Sequence, residues 1–285
     1  MHQVGVVAQR WAVATAVILA LGACSGQGSH AAAPLPSPTA LLASSVRTGA
    51  PSPSLAPERT PEARPVLVNH GPRDRRVVAL TFDADMTPSM LARLRSGEVT
   101  SWFNRRVVRE LRVTGTPATF FLAGLWAQTY PAAVRSFARD PVFEIGNHSW
   151  DHPAFTPNCY GMKAVPEAGE RGEVLRGARE IEKFSGEPPT YFRFPGGCHD
   201  DDDLRLVASL EEQPIGWDVV SGDAFEPDDA VVVGNVLGEV RPGSIVVMHL
   251  NGPPNAPATA AALHRLIPAL EGRGFRFVSL SDLLG

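Results

Sequence analysis

The sequence is poor in the features that mark several common protein classes. Charge of either sign is not in excess: 26 Lys and Arg stand against 30 Asp and Glu, a formal net charge of −4, with a pI of about 6.1. That balance offers no footprint for a polyanion, so nucleic acid is not an expected partner. No internal repeat is visible, which removes repeat arrays from consideration. Cysteine is scarce, three in 285 residues, too few for a disulfide-framed miniature domain. Long hydrophobic runs are missing as well: Trp11 to Leu21 is apolar but too short to span a bilayer in comfort. What is present, 44% hydrophobic residues over 285, suits one sizeable globular domain with additions.

The first addition is residues 1–24. Arg10 gives a modest positive flank, the apolar run follows, and Leu21-Gly22-Ala23-Cys24 closes it. This resembles a bacterial lipoprotein signal, in which Cys24 becomes the lipidated first residue. An ordinary secretory signal or a short membrane anchor is the competing reading, but either leaves a cysteine directly after the cleavable segment unexplained. Residues 25–72 are rich in Pro, Ala and Ser, as in APLPSPTALLASS and GAPSPSLAPERTPEARP. Such a composition cannot bury enough apolar area to offset ordering entropy, so a disordered tether is expected. Residues 73–285 then form one domain. Export and membrane attachment through the lipid alone follow, and Cys159 and Cys198, exposed to an oxidising compartment, are expected to pair. Closing that loop would stabilise by about 4 kcal/mol in the chain-entropy model. Two buried free thiols are the alternative.

Within the domain, short β-rich runs alternate with helical ones. RVVALTF, TPATFFLAG, VFEIGNHS, TYFRFPGG, EQPIGWDVV, GSIVVMHL and FRFVSL read as strands, with amphipathic stretches such as GEVLRGAREIEKFSG between them. Repeated alternation predicts an α/β fold with a parallel sheet, and six or more units over this length favour a barrel. Asp83, Asp85, His148, His152, Arg193, Asp218 or Asp223, and His249 all fall at or just past predicted strand ends. In a parallel barrel those ends share one face, where active sites are built.

The chemistry of these residues is specific in combination. His148 and His152, in NHSWDHP, can aim two imidazoles at one point from a single turn. Alone the pair is a weak signal, since packed or surface histidines are common. A strand-end carboxylate completes a catalytic zinc ligand set with an open position. Asp83 and Asp85 supply one: side chains two apart on an extended segment share a face. Two close carboxylates need a cation beside them to stay ionised.

TFDAD, NHSWDH, FRFPGG, GWDVVSGD and IVVMHL, in that order, resemble the five motifs of the polysaccharide deacetylases, the NodB-type domain of carbohydrate esterase family 4. The resemblance runs from about Val77 to Leu284. It implies a distorted parallel (β/α)7 barrel, a divalent metal, often Zn2+, and removal of acetyl groups from sugars. Matched position by position, it makes Asp85, His148 and His152 the metal ligands and Asp83 the catalytic base. Arg193 would flank that base, His249 would be the acid, and the Gly196 N–H would meet the oxyanion. Three departures stand out. Ala84 separates the two acids. The fourth motif leaves the partner of Arg193 open between Asp223 and Asp218. Gly196 stands where tyrosine is usual, which would widen the acetate pocket.

Other residues have plainer readings. His199 and the acids from Asp200 to Asp203 precede a helix and suit capping. His70 reads as structural, and His264 as solvated or packing. Trp126, Trp150, Tyr130 and Trp217 default to core, with Trp150 the best candidate for lining a sugar site. The function the resemblance implies is N-deacetylation of a polysaccharide, most plausibly cell-wall N-acetylglucosamine units of a peptidoglycan or chitin-like chain, by a monomer on the outer side of the membrane facing the wall. An O-acetyl esterase on xylan-like chains and a non-catalytic carbohydrate-binding relic are the alternatives.

Overall fold

The computed structural model describes residues 65–285. The expected signal, Cys24 and the expected tether up to residue 64 lie outside the described residues. The domain is built on strand β1, Val77–Ala84, all eight residues of which are buried. A strand buried along its whole length, and apolar but for Thr81 and Asp83, fits a parallel strand covered on both faces. β1 pairs in parallel with β2 (Ala118–Leu122) on one side and β7 (Ser244–His249) on the other. β3 (Phe143–Asn147), β4 (Tyr191–Phe192) and β5 (Gln213–Pro214) continue beyond β2, and β6 (Val219–Val220) lies beyond β7, giving the order β5-β4-β3-β2-β1-β7-β6. β8 (Arg276–Phe277) pairs with the first two residues of β1, before β2 begins at Leu80.

The two faces of β1 have different neighbours. Val78, Leu80 and Phe82 join the main core with residues of α2 (Arg105–Thr114) and α8 (Thr259–Gly272), among them Val107, Leu111, Leu263 and Leu266. Val77 and Ala79 face a second cluster with Phe121, Ile215 and Ile245, into which α9 (Leu280–Leu284) inserts Leu280 and Leu283. By strand alternation Thr81, Asp83 and Asp85 continue this second face toward the C-terminal end of β1.

The parallel α/β architecture is as expected, with differences of detail. The predicted strand over TYFRFPGG holds only two residues, Tyr191–Phe192. Pro195 has no N–H for a ladder, and Gly196 and Gly197 take φ of +63° and +72°, so the chain turns there. EQPIGWDVV is two short strands, β5 and β6, rather than one. α1 (Pro88–Arg95), α3 (Gly124–Thr129) and α9 add short helices between and after the strands.

The boundary between tether and domain needs correction. Residues 66–72, expected to be tether, pack along the sheet. The Val68 N–H donates to the Pro214 carbonyl (3.1 Å), its own carbonyl accepts from Gly216 N–H (2.8 Å), and Gly71 N–H donates to the Gly243 carbonyl (2.8 Å). A Cβ on Gly216 would meet Asn69 Oδ1 at 2.2 Å, which is why the chain between β5 and β6 carries glycine there. Local composition hid this because the segment's partners lie 146 to 172 residues away, beyond the reach of any compositional argument.

Candidate active site

Asp83 is the penultimate residue of β1 and Asp85 the first residue past it. His148 follows β3, and His152 lies four residues on, in a loop where Ser149 and His152 adopt φ of +66° and +62°. Non-glycine residues in this region carry strain that surrounding contacts must hold. The Ser149 Oγ accepts from the His152 N–H at 3.2 Å. The result brings His148 Nε2 to 3.7 Å and His152 Nε2 to 3.3 Å from the same oxygen, Asp85 Oδ1. One ligand atom from each of the three lies within 4.8 Å of the others.

The donor set fits a divalent metal. His148 Nδ1 lies 2.8 Å from the Arg193 carbonyl; donating there leaves Nε2 as the free lone pair. Burial pushes His148 down to about 4, against the pull of Asp83 and Asp85, so the imidazole is neutral, the form that ligates. Burial works to raise Asp85, but His152, His249, His148 and a hydrogen bond from Asn255 together bring it below the usual carboxylate range. Asp85 Oδ1 and His148 Nε2 are buried with no hydrogen-bond partner. Buried polar atoms are nearly always paired, and two orphans pointing at one spot are what a ligand site for a cation would leave.

Arg193 and Asp83 form a buried ion pair of 2.8 Å between Nη1 and Oδ1. The guanidinium also donates to Thr81 Oγ1 (2.8 Å) and to the Gly216 carbonyl (3.1 Å), and it lies 4.0 Å from the Phe121 ring centroid. Asp83 Oδ2, the oxygen not held by Arg193, is 3.8 Å from His148 Nε2.

The expectation that Asp223 or Asp218 pairs with Arg193 is not met. Asp223 follows β6 and binds His249: its Oδ1 is 2.7 Å from His249 Nδ1 and its Oδ2 accepts from the His249 N–H at 2.8 Å. Thr259 and Ser221 hydroxyls also donate to it, at 2.6 and 3.1 Å. Asp218 precedes β6 and pairs with Arg73 at 2.7 Å, at the opposite end of the sheet, where it also accepts from Ser244 Oγ (2.9 Å). The carboxylate partner of Arg193 is therefore Asp83 itself. His249 Nε2 lies 4.0 Å from Asp85 Oδ2. Burial opposes charge on His249, but Asp223, then Asp85 and Asp83, outweigh it and push the imidazole up to about 10. A divalent cation on Asp85 would act in the other direction.

The chain belongs to the polysaccharide deacetylase family. The family model of that description matches residues 70–215, just over half of the chain. A peptidoglycan-N-acetylglucosamine deacetylase of Bacillus cereus is 29% identical over 215 residues, covering 75% of this chain and 90% of that one. A chitooligosaccharide deacetylase of Sinorhizobium fredii is 33% identical over 188 residues, 62% of this chain and 84% of that one. The crystal structure of a peptidoglycan N-acetylglucosamine deacetylase superposes with a TM-score of 0.65 at 26% identity, over 76% of this chain and 92% of that one. The curled parallel sheet is thus the NodB-type (β/α) fold.

Further groups shape this face of the domain. Cys159 and Cys198 are joined by a disulfide, as expected. It ties the loop after His152 to the loop after Arg193. A wider pocket at Gly196 is not found: a Cβ there would meet Met162 Cε at 2.6 Å and Cys159 Sγ at 2.8 Å, so those groups fill the vacated space. A groove of about 430 Å³ opens on His152, lined also by Thr87, Asp151, Met162 and Lys163. Trp126 and Trp150 are buried, and Trp150 sits beneath the Arg176 guanidinium at 4.1 Å. The exposed aromatics are instead Tyr160 (87%) and Phe225 (75%), both on loops of the catalytic face. The acids after His199 form a capping box between Asp200 and Asp203 at the start of α6, Asp201–Ala208, and His264 pairs with Glu110 in solvent.

Proposed function

We propose that this chain is a metal-dependent polysaccharide N-deacetylase acting on N-acetylglucosamine units of a cell-wall glycan, with Zn2+ as its metal. The observation that carries this reading is the pair of orphaned buried atoms, Asp85 Oδ1 and His148 Nε2, facing His152 Nε2, with a base on one side and an acid on the other. Bound there, a divalent cation would supply Lewis acidity for an acetyl carbonyl and a water. Asp83 is the base: Arg193 fixes Oδ1, and Oδ2 takes the water proton as the water oxygen adds to the acetyl carbon. The Gly196 N–H is assigned to the oxyanion by its place after Pro195. His249, charged and held through Nδ1 by Asp223, gives its Nε2 proton to the sugar nitrogen as the C–N bond breaks. The products are acetate and a free amine.

The relatives matched by the chain act, by name, on peptidoglycan and chitooligosaccharides, which supports an N-acetylglucosamine substrate. The Leu21–Cys24 sequence supports export, a lipid anchor at Cys24 and a position facing the wall, where a monomer would meet its polymer. A carbohydrate-binding relic would need neither Asp83 nor His249. The test is acetate release, with Zn2+ and other divalent ions, from N-acetylated and O-acetylated oligosaccharides. Turnover of the N-acetylated set is expected. Turnover confined to the O-acetylated set makes the chain an esterase, and metal binding without turnover of either set makes it a relic.

A further inference from the structure

β1 and β7 stop pairing before Asp85. Their register ends at Asp83 opposite His249, and the last backbone bond across the pair is Leu250 N–H to the Asp83 carbonyl at 2.7 Å. Yet Asp85 must stay extended if it is to share a face with Asp83. The side chain of Asn251, fully buried, takes the place of the missing strand. Its Oδ1 accepts from the Asp85 N–H at 2.9 Å, and its Nδ2 donates to the Asp85 carbonyl at 2.9 Å and to the Trp102 carbonyl at 3.2 Å. A side-chain amide offers one acceptor and two donors, so it can continue a β-ladder by one residue, as here.

Asn255, in the same loop, acts on the carboxylate. Its Nδ2 lies 3.4 Å from Asp85 Oδ2, while Oδ1 has no partner. The loop is fixed in turn, because the Asn255 carbonyl accepts from the Phe225 N–H at 2.6 Å and its own N–H donates to the Gly252 carbonyl at 3.1 Å. We infer that Asn251 and Asn255 are positioning residues for the metal: Asn251 holds the Asp85 backbone in line with β1, and Asn255 engages Oδ2 so that Oδ1 alone is presented beside His148 and His152. The inference rests on the metal reading of the proposed function. It accounts for the separated pair of acids, since an acid set one residue further along needs its own support from the loop after His249.

The test uses the full-length chain with Zn2+ alone as probe. Zn2+ affinity is measured by competition with a chromophoric chelator, beside the absorption spectrum of the Co2+-loaded protein and the Tm of the metal-free protein. Asn255→Leu is expected to weaken Zn2+ binding by about 10–100-fold, the usual scale for a group that orients a metal ligand, and to change the Co2+ spectrum while metal-free Tm stays within a few degrees. Asn251→Ala is expected to weaken it further, and if that variant does not fold, Asn255→Leu decides alone. Unchanged affinity and spectrum in Asn255→Leu overturn the inference, as does a loss of affinity matched by a parallel fall in metal-free Tm, which would make the asparagine a packing element. A wild-type chain that binds no Zn2+ overturns the metal reading instead, a result the variants could not produce.

Discussion

Replacing Asp83 by asparagine tests the division of labour between the two acids most directly. The change keeps the shape of the side chain and one acceptor for Arg193 but removes the charge. Arg193 is fully buried, so the cost falls on a guanidinium that loses its only ion-pair partner among the described residues, Asp83 at 2.8 Å. Stripping one member from a buried pair costs about 3–5 kcal/mol. The guanidinium keeps Thr81 Oγ1 and the Gly216 carbonyl, and the asparagine oxygen can still accept, so the lower end, about 3 kcal/mol, is expected. At about 2–4 °C per kcal/mol for a domain of this size, Tm should fall by about 6–12 °C. The variant should fold at room temperature. Acetate release should drop by about 10²–10⁴, the scale of a lost general base, while Zn2+ content by elemental analysis stays at the wild-type level, because Asp83 is not among the three converging ligand atoms. Wild-type turnover in this variant would place the base elsewhere. Loss of metal here, with metal kept in Asp85→Ala, would reverse the two roles, and no effect of either change on metal or rate would remove the deacetylase reading altogether.

Asp85→Ala should lose Zn2+ and activity together and regain part of the activity at high metal concentration, which elemental analysis beside a metal titration of the rate would check. Serine at both Cys159 and Cys198 should lower Tm by about 8–16 °C, from about 4 kcal/mol of lost loop constraint at about 2–4 °C per kcal/mol; an unchanged Tm would show that the bridge does not brace the fold. Glu212, buried with only Asn147 among the described residues donating to it, is pushed by burial up to about 8 from 4.5. Its folded-state value lies above the unfolded one, so the stability linked to its proton is complete below pH 4.5 and is lost as pH rises to about 8; Tm against pH should fall over that window in the wild type and flatten in Glu212→Gln. A chain starting at residue 65 should keep full activity on soluble substrate, whereas one starting at residue 73 should lose several degrees of Tm, because the bonds of Val68 and Gly71 to Pro214, Gly216 and Gly243 go with the deleted segment.

Much of the site was legible because strand alternation and motif spacing are local. Asp83 and Asp85 share a face because β1 is extended, and His148 and His152 converge because one turn separates them; both statements follow from neighbours in the chain. The capping role of Asp200 and Asp203 is local in the same sense. Asn251, Asn255 and Thr259 carried no such mark. Each acts on a residue brought to it by the fold, Asn251 and Asn255 on Asp85 from 166 and 170 positions away, and asparagine in a Gly/Pro-rich loop reads by itself as turn chemistry. Exposure of Tyr160 was equally invisible, since an aromatic ring in a motif loop looks the same whether it faces solvent or the core.

The two acids of the fourth motif show how fine the limit is. Asp218 and Asp223 are five residues apart, and either could follow a strand if GWDVV is read as one extended run. The observed strand is only Val219–Val220. Asp218 therefore stands at its N-terminal end, with Arg73 and the start of β7, and Asp223 at its C-terminal end, beside His249. In a parallel sheet these ends are opposite sides of the domain, and only the C-terminal one can reach the chemistry. Strand direction thus separates the two, but only once the strand's limits are known. Just before that strand the Leu67–Asn69 segment packs against Gly216, a contact that no reading of the motif alone could supply. Arg193 has no bond to a fourth-motif acid: the Gly216 carbonyl accepts from its Nη2 and the Ile215 carbonyl lies 3.5 Å from its Nε, leaving Nη1 for Thr81 and Asp83. The orientation of the base is accordingly built from the backbone between β5 and β6, and the fourth-motif acid is left free to hold His249.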